Sequence, residues 1–271
     1  MSKFTGKVAF ITGSSKGIGK TIASELLKEG ARVVINGRNA ETLKIAASEL
    51  SVHGGEIMEI AADVSESKAC EEAIRSIFER FGQLDILILN AGLSSYGLVE
   101  DTRDKVLEDV MRVNAIGPFI GARTALPYIR KSRGSIVFIS SLAGKHGIPR
   151  SSVYSMSKMA LTALAQSLKT EMTGQSVHIG IIYVGFTRND PDKKAIGPDG
   201  TIRPIQDRPG WIQQKPEKVA RLILHNIRRR RFISILSPMG KIMSFLSRYF
   251  PRLWQYSMRG VLKSAEKLTA D

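Results

Sequence analysis

The chain has 271 residues, 43% of them hydrophobic, enough apolar material to bury a large core in one domain rather than two small ones. Its single cysteine, Cys70, excludes an intramolecular disulfide and points to a reducing compartment. The net charge of +15 is unevenly placed: residues 215–271 hold 13 basic and 3 acidic side chains, +10 of that total, so the body before them carries an ordinary surface.

From the N-terminus, "MSKFTGKVAFITG" runs directly into a strand pattern, with no room for a signal peptide, and no stretch reaches the ~18 apolar residues of a membrane span. The expectation is a cytoplasmic protein. Strand-like runs, β-branched and nearly continuously apolar, fall at 8–12, 32–36, 56–63, 84–90, 135–140, 178–184 and finally in "RFISILS" (231–237). Helical patterns at 17–29, 40–51, 66–81 and 153–172 alternate with them, Ser65 being a plausible cap for the third. That alternation predicts a single-domain, doubly wound α/β fold of the Rossmann type: a parallel sheet of about seven strands with helices on both faces.

The first strand leads into "TGSSKGIGK" (12–20), where Gly13, Gly17 and Gly19 open a helix. Glycines there let backbone N–H groups approach a phosphate at a positive helix end. Ser15, Lys16 and Ile18 complete the turn. The second strand ends "VVINGRN"; neither Asn36 nor Gly37 is acidic, Arg38 follows, and Lys16 offers a second cation, the pattern of a site for a 2′-phosphate rather than a free ribose hydroxyl.

Farther on, "DV" (63–64), "NAG" (90–92), "VNAIG" (113–117), "SIVFISS" (135–141) and "YSMSK" (154–158) follow in order. With the glycine turn, they make residues 6–236 resemble the short-chain dehydrogenases/reductases. The resemblance implies that Asp63 and Val64 cradle the adenine of an NADP(H) cofactor and that Asn90, Ala91 and Gly92 line its cleft. It implies that Tyr154 exchanges a proton with the substrate oxygen, that Lys158 holds the nicotinamide ribose, that Ser141 polarises the carbonyl and that Asn114 holds a relay water. Strand alternation alone does not separate Ser141 from Ser140. A phenol pKa near 10 must fall by about three units for work at neutral pH, roughly 4 kcal/mol. A cation ~4 Å away at an effective dielectric of ~20 supplies about that much, and Lys158 stands at i+4 from Tyr154.

After the sixth strand the chain reads "YVGFTRND", with Val184 where the family has proline. Gly185 is kept; Thr187 and Asn189, the latter in the usual threonine place, are the two candidates for the nicotinamide carboxamide, and Thr187 is preferred. Residues 188–216 read as a long substrate loop rich in Pro, Gly and Asp. Residues 1–237 thus form the cofactor and catalytic body, and 238–271 an extension. Within 238–265 a broad apolar face lies beside a stripe of Lys241, Arg248, Arg252, Arg259 and Lys263, with Tyr249, Trp254 and Tyr256 as interface-type aromatics and Pro251 as a kink or restart. It suits an anionic membrane surface, a lipid-substrate entrance or a packing contact. No metal-ligand spacing and no nucleic-acid recognition motif is present.

The expectation is an NADP(H)-dependent enzyme interconverting a carbonyl and a secondary alcohol on a hydrophobic small molecule (3-ketoacyl, 3-ketosphinganine or steroid-like), as a homodimer or homotetramer. The alternatives are a catalytically silent nucleotide-binding regulator of this fold, or a nucleic-acid binder led by the basic tail.

Overall fold

A computed structural model describes residues 2–188, 193–205 and 210–267. Strand β1 (Val8–Ile11) leads through a glycine turn to helix α1 (Gly17–Lys28), then β2 (Arg32–Gly37), α2 (Ala40–Ser51), β3 (Ile57–Ala61), α3 (Ser67–Phe81) and β4 (Ile86–Leu89). After the short β5 (Ser94–Ser95) come α4 (Asp104–Met111), a π-turn at Arg112–Ile116, α5 (Gly117–Ser132), β6 (Ser135–Ser141), α6 (Ser152–Glu171) and β7 (His178–Val184). The chain ends with β8 (Lys194–Ile196), β9 (Ile202–Pro204), α7 (Pro216–Arg229), β10 (Ile233–Ile235), α8 (Pro238–Tyr249) and α9 (Pro251–Lys267).

The main sheet is seven-stranded and parallel, in the order β10-β7-β6-β4-β1-β2-β3. Its strands are apolar on both sides because both sides are covered. Ala9, Ile11, Val33, Ile35 and Ile88 face α1, α2 and α7; Val8, Phe10, Val34, Leu87 and Phe138 face α3, α5 and α6. Winding reverses between β1 and β4, and the loops leaving their carboxyl ends flank the crevice where such sheets take ligands.

Two expectations change. Ser65 does not cap α3: its amide and hydroxyl both donate to Asp63 Oδ1, at 3.0 and 2.6 Å, and the helix starts after Glu66 without a side-chain cap. Ser65 stands one residue before the cap position, Glu66, and its hydroxyl donates back to the carboxylate two residues earlier. The stretch 188–216 is no structureless loop, since β8 pairs in parallel with β5 and antiparallel with β9 to make a small second sheet. Part of it, 189–192 and 206–209, lies outside the described residues.

Candidate active site

The glycine turn is held from below. Gly13 (φ +61°) lies so close to Ala91 that a Cβ would come within 2.8 Å of the Ala91 Cα. A Cβ on Gly19 would collide with the Gly13 carbonyl oxygen. Asn90 Nδ2 donates to the carbonyls of Thr12 (3.0 Å) and Gly13 (2.9 Å), while Thr12 Oγ1 accepts from the amides of Asn90 and Ala91. Gly17 (φ +58°) differs: its Cβ would meet nothing within 4 Å and would project into the concavity before α1. Lys16 at the cap makes no side-chain bond to the helix, leaving its first N–H groups to a ligand. That cradle fits a dinucleotide pyrophosphate.

At the rim, Ser15 lies against Gly37, where a Cβ would be 3.2 Å from Ser15 Oγ, so the turn and the end of β2 meet. Lys16 and Arg38 are both exposed there and, among the described residues, neither forms an ion pair. Asp63 is half-buried and tied to Ser65; Val64 is buried.

At the other end, Asn114 is fully buried in the π-turn, and its side-chain amide is committed: Oδ1 accepts from Leu93 N (2.7 Å), and Nδ2 donates to Leu93 O (2.8 Å) and Ser157 Oγ (3.0 Å). Gly92 permits the approach of two side chains, since a Cβ on it would lie 3.2 Å from Asn114 Oδ1 and 3.3 Å from Lys158 Nζ. Lys158, only 5% exposed, donates to Ile139 O at 3.2 Å. Its Nζ is 5.9 Å from the centre of the Tyr154 ring. Ser140 is buried, with its hydroxyl donating to Lys158 O at 3.2 Å, whereas half-buried Ser141 lies beside the phenol and accepts from Ala143 N. The serines therefore have separate situations, one under α6 and one facing Tyr154.

The expected depression of Tyr154 by Lys158 is not what the protein alone produces. Tyr154 is half-buried, and burial pushes its phenol above the ordinary value, the Ser141 hydroxyl offsetting part of that rise. Lys158 is itself pushed down to about 8, first by burial and then by the charge of Lys193 on the substrate segment. Desolvation of both groups outweighs the single phenol–ammonium attraction.

Thr187 is half-buried, its Oγ1 3.5 Å from Gly185 O, and its backbone bridges to Gln214; Asn189, the other candidate, lies outside the described residues. Gly185 faces the end of the body, where a Cβ would meet Ser237 Oγ at 2.5 Å. The site thus gathers the described expected residues beyond the carboxyl ends of β1, β2, β3, β4, β6 and β7. Asn36 escaped the sequence reading as a structural element. It accepts from Gly13 N at 3.2 Å and donates to the carbonyls of Ile60 and Ala62, both at 3.0 Å, tying the glycine turn to β3. An amide inside an apolar strand was the available signal.

The extension is two helices, α8 ending at the Phe250 cap and α9 restarting at Pro251, so of the two readings of Pro251 the restart is found and not the kink. Trp254 is buried on the body, its ring 4.4 Å from that of His146 in an edge-on contact, so it is not an outward interface aromatic. Tyr249 and Tyr256 are exposed as expected. The Lys263 side chain lies outside the described residues. No described helix is long and apolar enough to cross a membrane.

The profile of the short chain dehydrogenase family matches residues 7–196. Dehydrogenase/reductase SDR family member 7B of Xenopus tropicalis is 30% identical over 269 residues, covering 96% of this chain and 87% of that protein. A short-chain dehydrogenase/reductase from Burkholderia phymatum, solved in complex with NAD, superposes with a TM-score of 0.80 at 23% identity, over 93% of this chain and 96% of that one. A metagenomic short-chain oxidoreductase in complex with NADP gives a TM-score of 0.71 at 28% identity, over 86% and 97% of the two chains. With that match and this fold, the chain belongs to the short-chain dehydrogenase/reductase family.

Proposed function

We propose that the protein is an NADP(H)-dependent oxidoreductase that interconverts a carbonyl and a secondary alcohol on a hydrophobic, lipid-like molecule. The observation that carries this reading is Lys158. A lysine is almost never buried without a partner, yet this one has no ion pair among the described residues and lies between Tyr154, Asn114 and Gly92. Such a group serves the fold poorly and an active site well.

In this reading the nicotinamide, when bound, supplies or accepts the hydride. Tyr154 passes the proton to or from the substrate oxygen, and Ser141 donates a hydrogen bond to that oxygen as charge develops on it. Lys158 holds the ribose, and its ammonium favours the phenolate once burial has raised the phenol. Asn114, its side-chain amide committed to Leu93 and Ser157, steadies the Leu93 backbone and takes part in the water relay through its own main chain. Gly13, Ser15, Lys16, Gly17, Ile18 and Gly19 hold the pyrophosphate, Asp63 and Val64 cradle the adenine, Asn90, Ala91 and Gly92 line the cofactor cleft, and Gly185 with Thr187 holds the carboxamide. Lys16 and Arg38, unpaired at the rim, favour a 2′-phosphate. The NADP-bound metagenomic relative supports a nicotinamide cofactor.

The body is taken as residues 1–237 and the extension as 238–271. Ile116, Phe119, Met156 and Met159, all exposed on α6 and on the helical run 112–132, suit a homodimer or homotetramer contact. Ile242, Phe245, Tyr249, Phe250 and Leu253, exposed beside Lys241, Arg248 and Arg252, suit peripheral contact with anionic lipid from the cytoplasmic side.

The test is a panel of ketones and alcohols, from short acyl chains to steroids and long-chain amino-ketones, each with NADPH or NADP and with their non-phosphorylated counterparts. Turnover of long or polycyclic members with the phosphorylated cofactor is expected. Tight nucleotide binding with no turnover across the panel would favour the silent regulator.

A further inference from the structure

The outer and inner faces of the C-terminal helix pair have opposite characters. Outside, Ile242, Phe245, Tyr249, Phe250, Leu253 and Tyr256 are each more than half exposed, and the rings of Phe245 and Tyr249 lie 4.9 Å apart, tilted by 45°. Inside, the pair rests on the segment that joins Ser141 to Tyr154. Gly240 lies so close that a Cβ would come within 2.5 Å of Leu142 Cδ2, and Trp254 covers His146.

That inner seam is poorly satisfied. Among the described residues, both ring nitrogens of His146 are buried without a hydrogen-bond partner, and so is the hydroxyl of Ser244, on the inward face of α8 with Gly240 and Met243. Orphaned buried polar atoms forgo the hydrogen bonds that water would give them, a cost that opening the seam removes. The seam also sets like charges together: Lys145 is held below its ordinary pKa first by burial and then by Arg248 of α8. A contact so built closes under apolar packing and gains hydration and charge separation when it opens.

We propose that α8–α9 is a lipid-released latch: on an anionic membrane surface Trp254 leaves His146 for the lipid boundary and uncovers the segment between Ser141 and Tyr154 to a hydrophobic substrate. This rests on the membrane-facing reading of the extension. The outer face brings the helices to the surface, where indoles are favoured at the headgroup level. Release hydrates His146 and separates Arg248 from Lys145.

The test uses the full chain with Trp211→Phe, so that Trp254 is the remaining tryptophan. The probe is phosphatidylcholine vesicles containing phosphatidylserine, with bromine-labelled acyl chains, and phosphatidylcholine alone as control. Brominated anionic vesicles should quench Trp254, and amide exchange across residues 142–151 should quicken at least about tenfold. His146→Phe fills the ring space without orphaned nitrogens and should hold the latch shut. It should weaken both responses about tenfold, the equivalent of one relieved orphan, while co-sedimentation stays at the unmodified level. Vesicle binding with Trp254 unquenched and exchange unchanged overturns the latch and leaves the membrane reading standing. Failure to co-sediment overturns both, and a His146→Phe protein that responds like its parent overturns the latch.

Discussion

Lys158 is charged and buried, and the fold bears that cost at neutral pH. Its native pKa, lowered from 10.5 to about 8, means that between those values the unfolded chain binds more protons, so stability from this group rises with pH there. Below pH 8 the penalty is complete. Lys158→Met should therefore stabilise the cofactor-free protein at pH 7 by roughly 1–3 kcal/mol, read as a higher melting temperature, with the advantage shrinking towards pH 10.5. The same variant should lose turnover and nucleotide affinity together; a stabilised protein that keeps its activity would remove Lys158 from the site. Tyr154→Phe should cut kcat by about 10²–10⁴, the usual worth of a positioned proton donor, with NADPH affinity unchanged within a factor of about two. Arg38→Asp should move the NADPH/NADH preference by about 10–100-fold towards NADH, the scale of one charge-assisted hydrogen bond, read from kcat/KM with each cofactor. A parent protein that uses both equally would remove the 2′-phosphate site.

Four of the helices around the sheet were legible because period and length agree: 17–29, 40–51, 66–81 and 153–172 emerged as Gly17–Lys28, Ala40–Ser51, Ser67–Phe81 and Ser152–Glu171, whereas Gly117–Ser132 and Pro216–Arg229 were not among the patterns read. The cluster of Asn114, Ser141, Tyr154 and Lys158 was legible through motifs, and the structure brings them to one end of the sheet. The small sheet was not. Its strands are two or three residues long, Ile202–Pro204 is exposed throughout, and such pieces carry no period to read. Nor could sequence show that Trp254 faces inward, since the apolar stripe of α8–α9 is wide enough to serve two surfaces. The outward surface has its own test. Reversing Arg248, Arg252 and Arg259 to Glu in the full chain should weaken binding to anionic vesicles about 10²-fold or more, at about 1 kcal/mol per cation, and the difference should shrink as salt rises. Equal co-sedimentation of parent and variant would assign that face to a protein contact.

Across the whole molecule, α1 packs on α7, and Arg228 Nη2 reaches both carboxylate oxygens of Glu29 at 2.6 Å while its guanidinium lies over Phe4. The pair is about one-third exposed, so its ionic part is worth at most about 1 kcal/mol. Arg228→Ala should lower the melting temperature by about 2–4 °C and leave nucleotide affinity intact; a change in affinity would show that this clasp reaches the cofactor cleft. The strand order has a consequence for synthesis on the ribosome. β1 is made first and lies inside the sheet; β2 and β3 then add on one side, and β4, β6, β7 and β10 add in turn on the other. Every strand that emerges finds its partner already made and standing at an open edge, so none must be threaded between two strands already paired. The sheet can grow outward at the pace of translation, and the strand that closes it, β10, is the one from which the C-terminal helices follow.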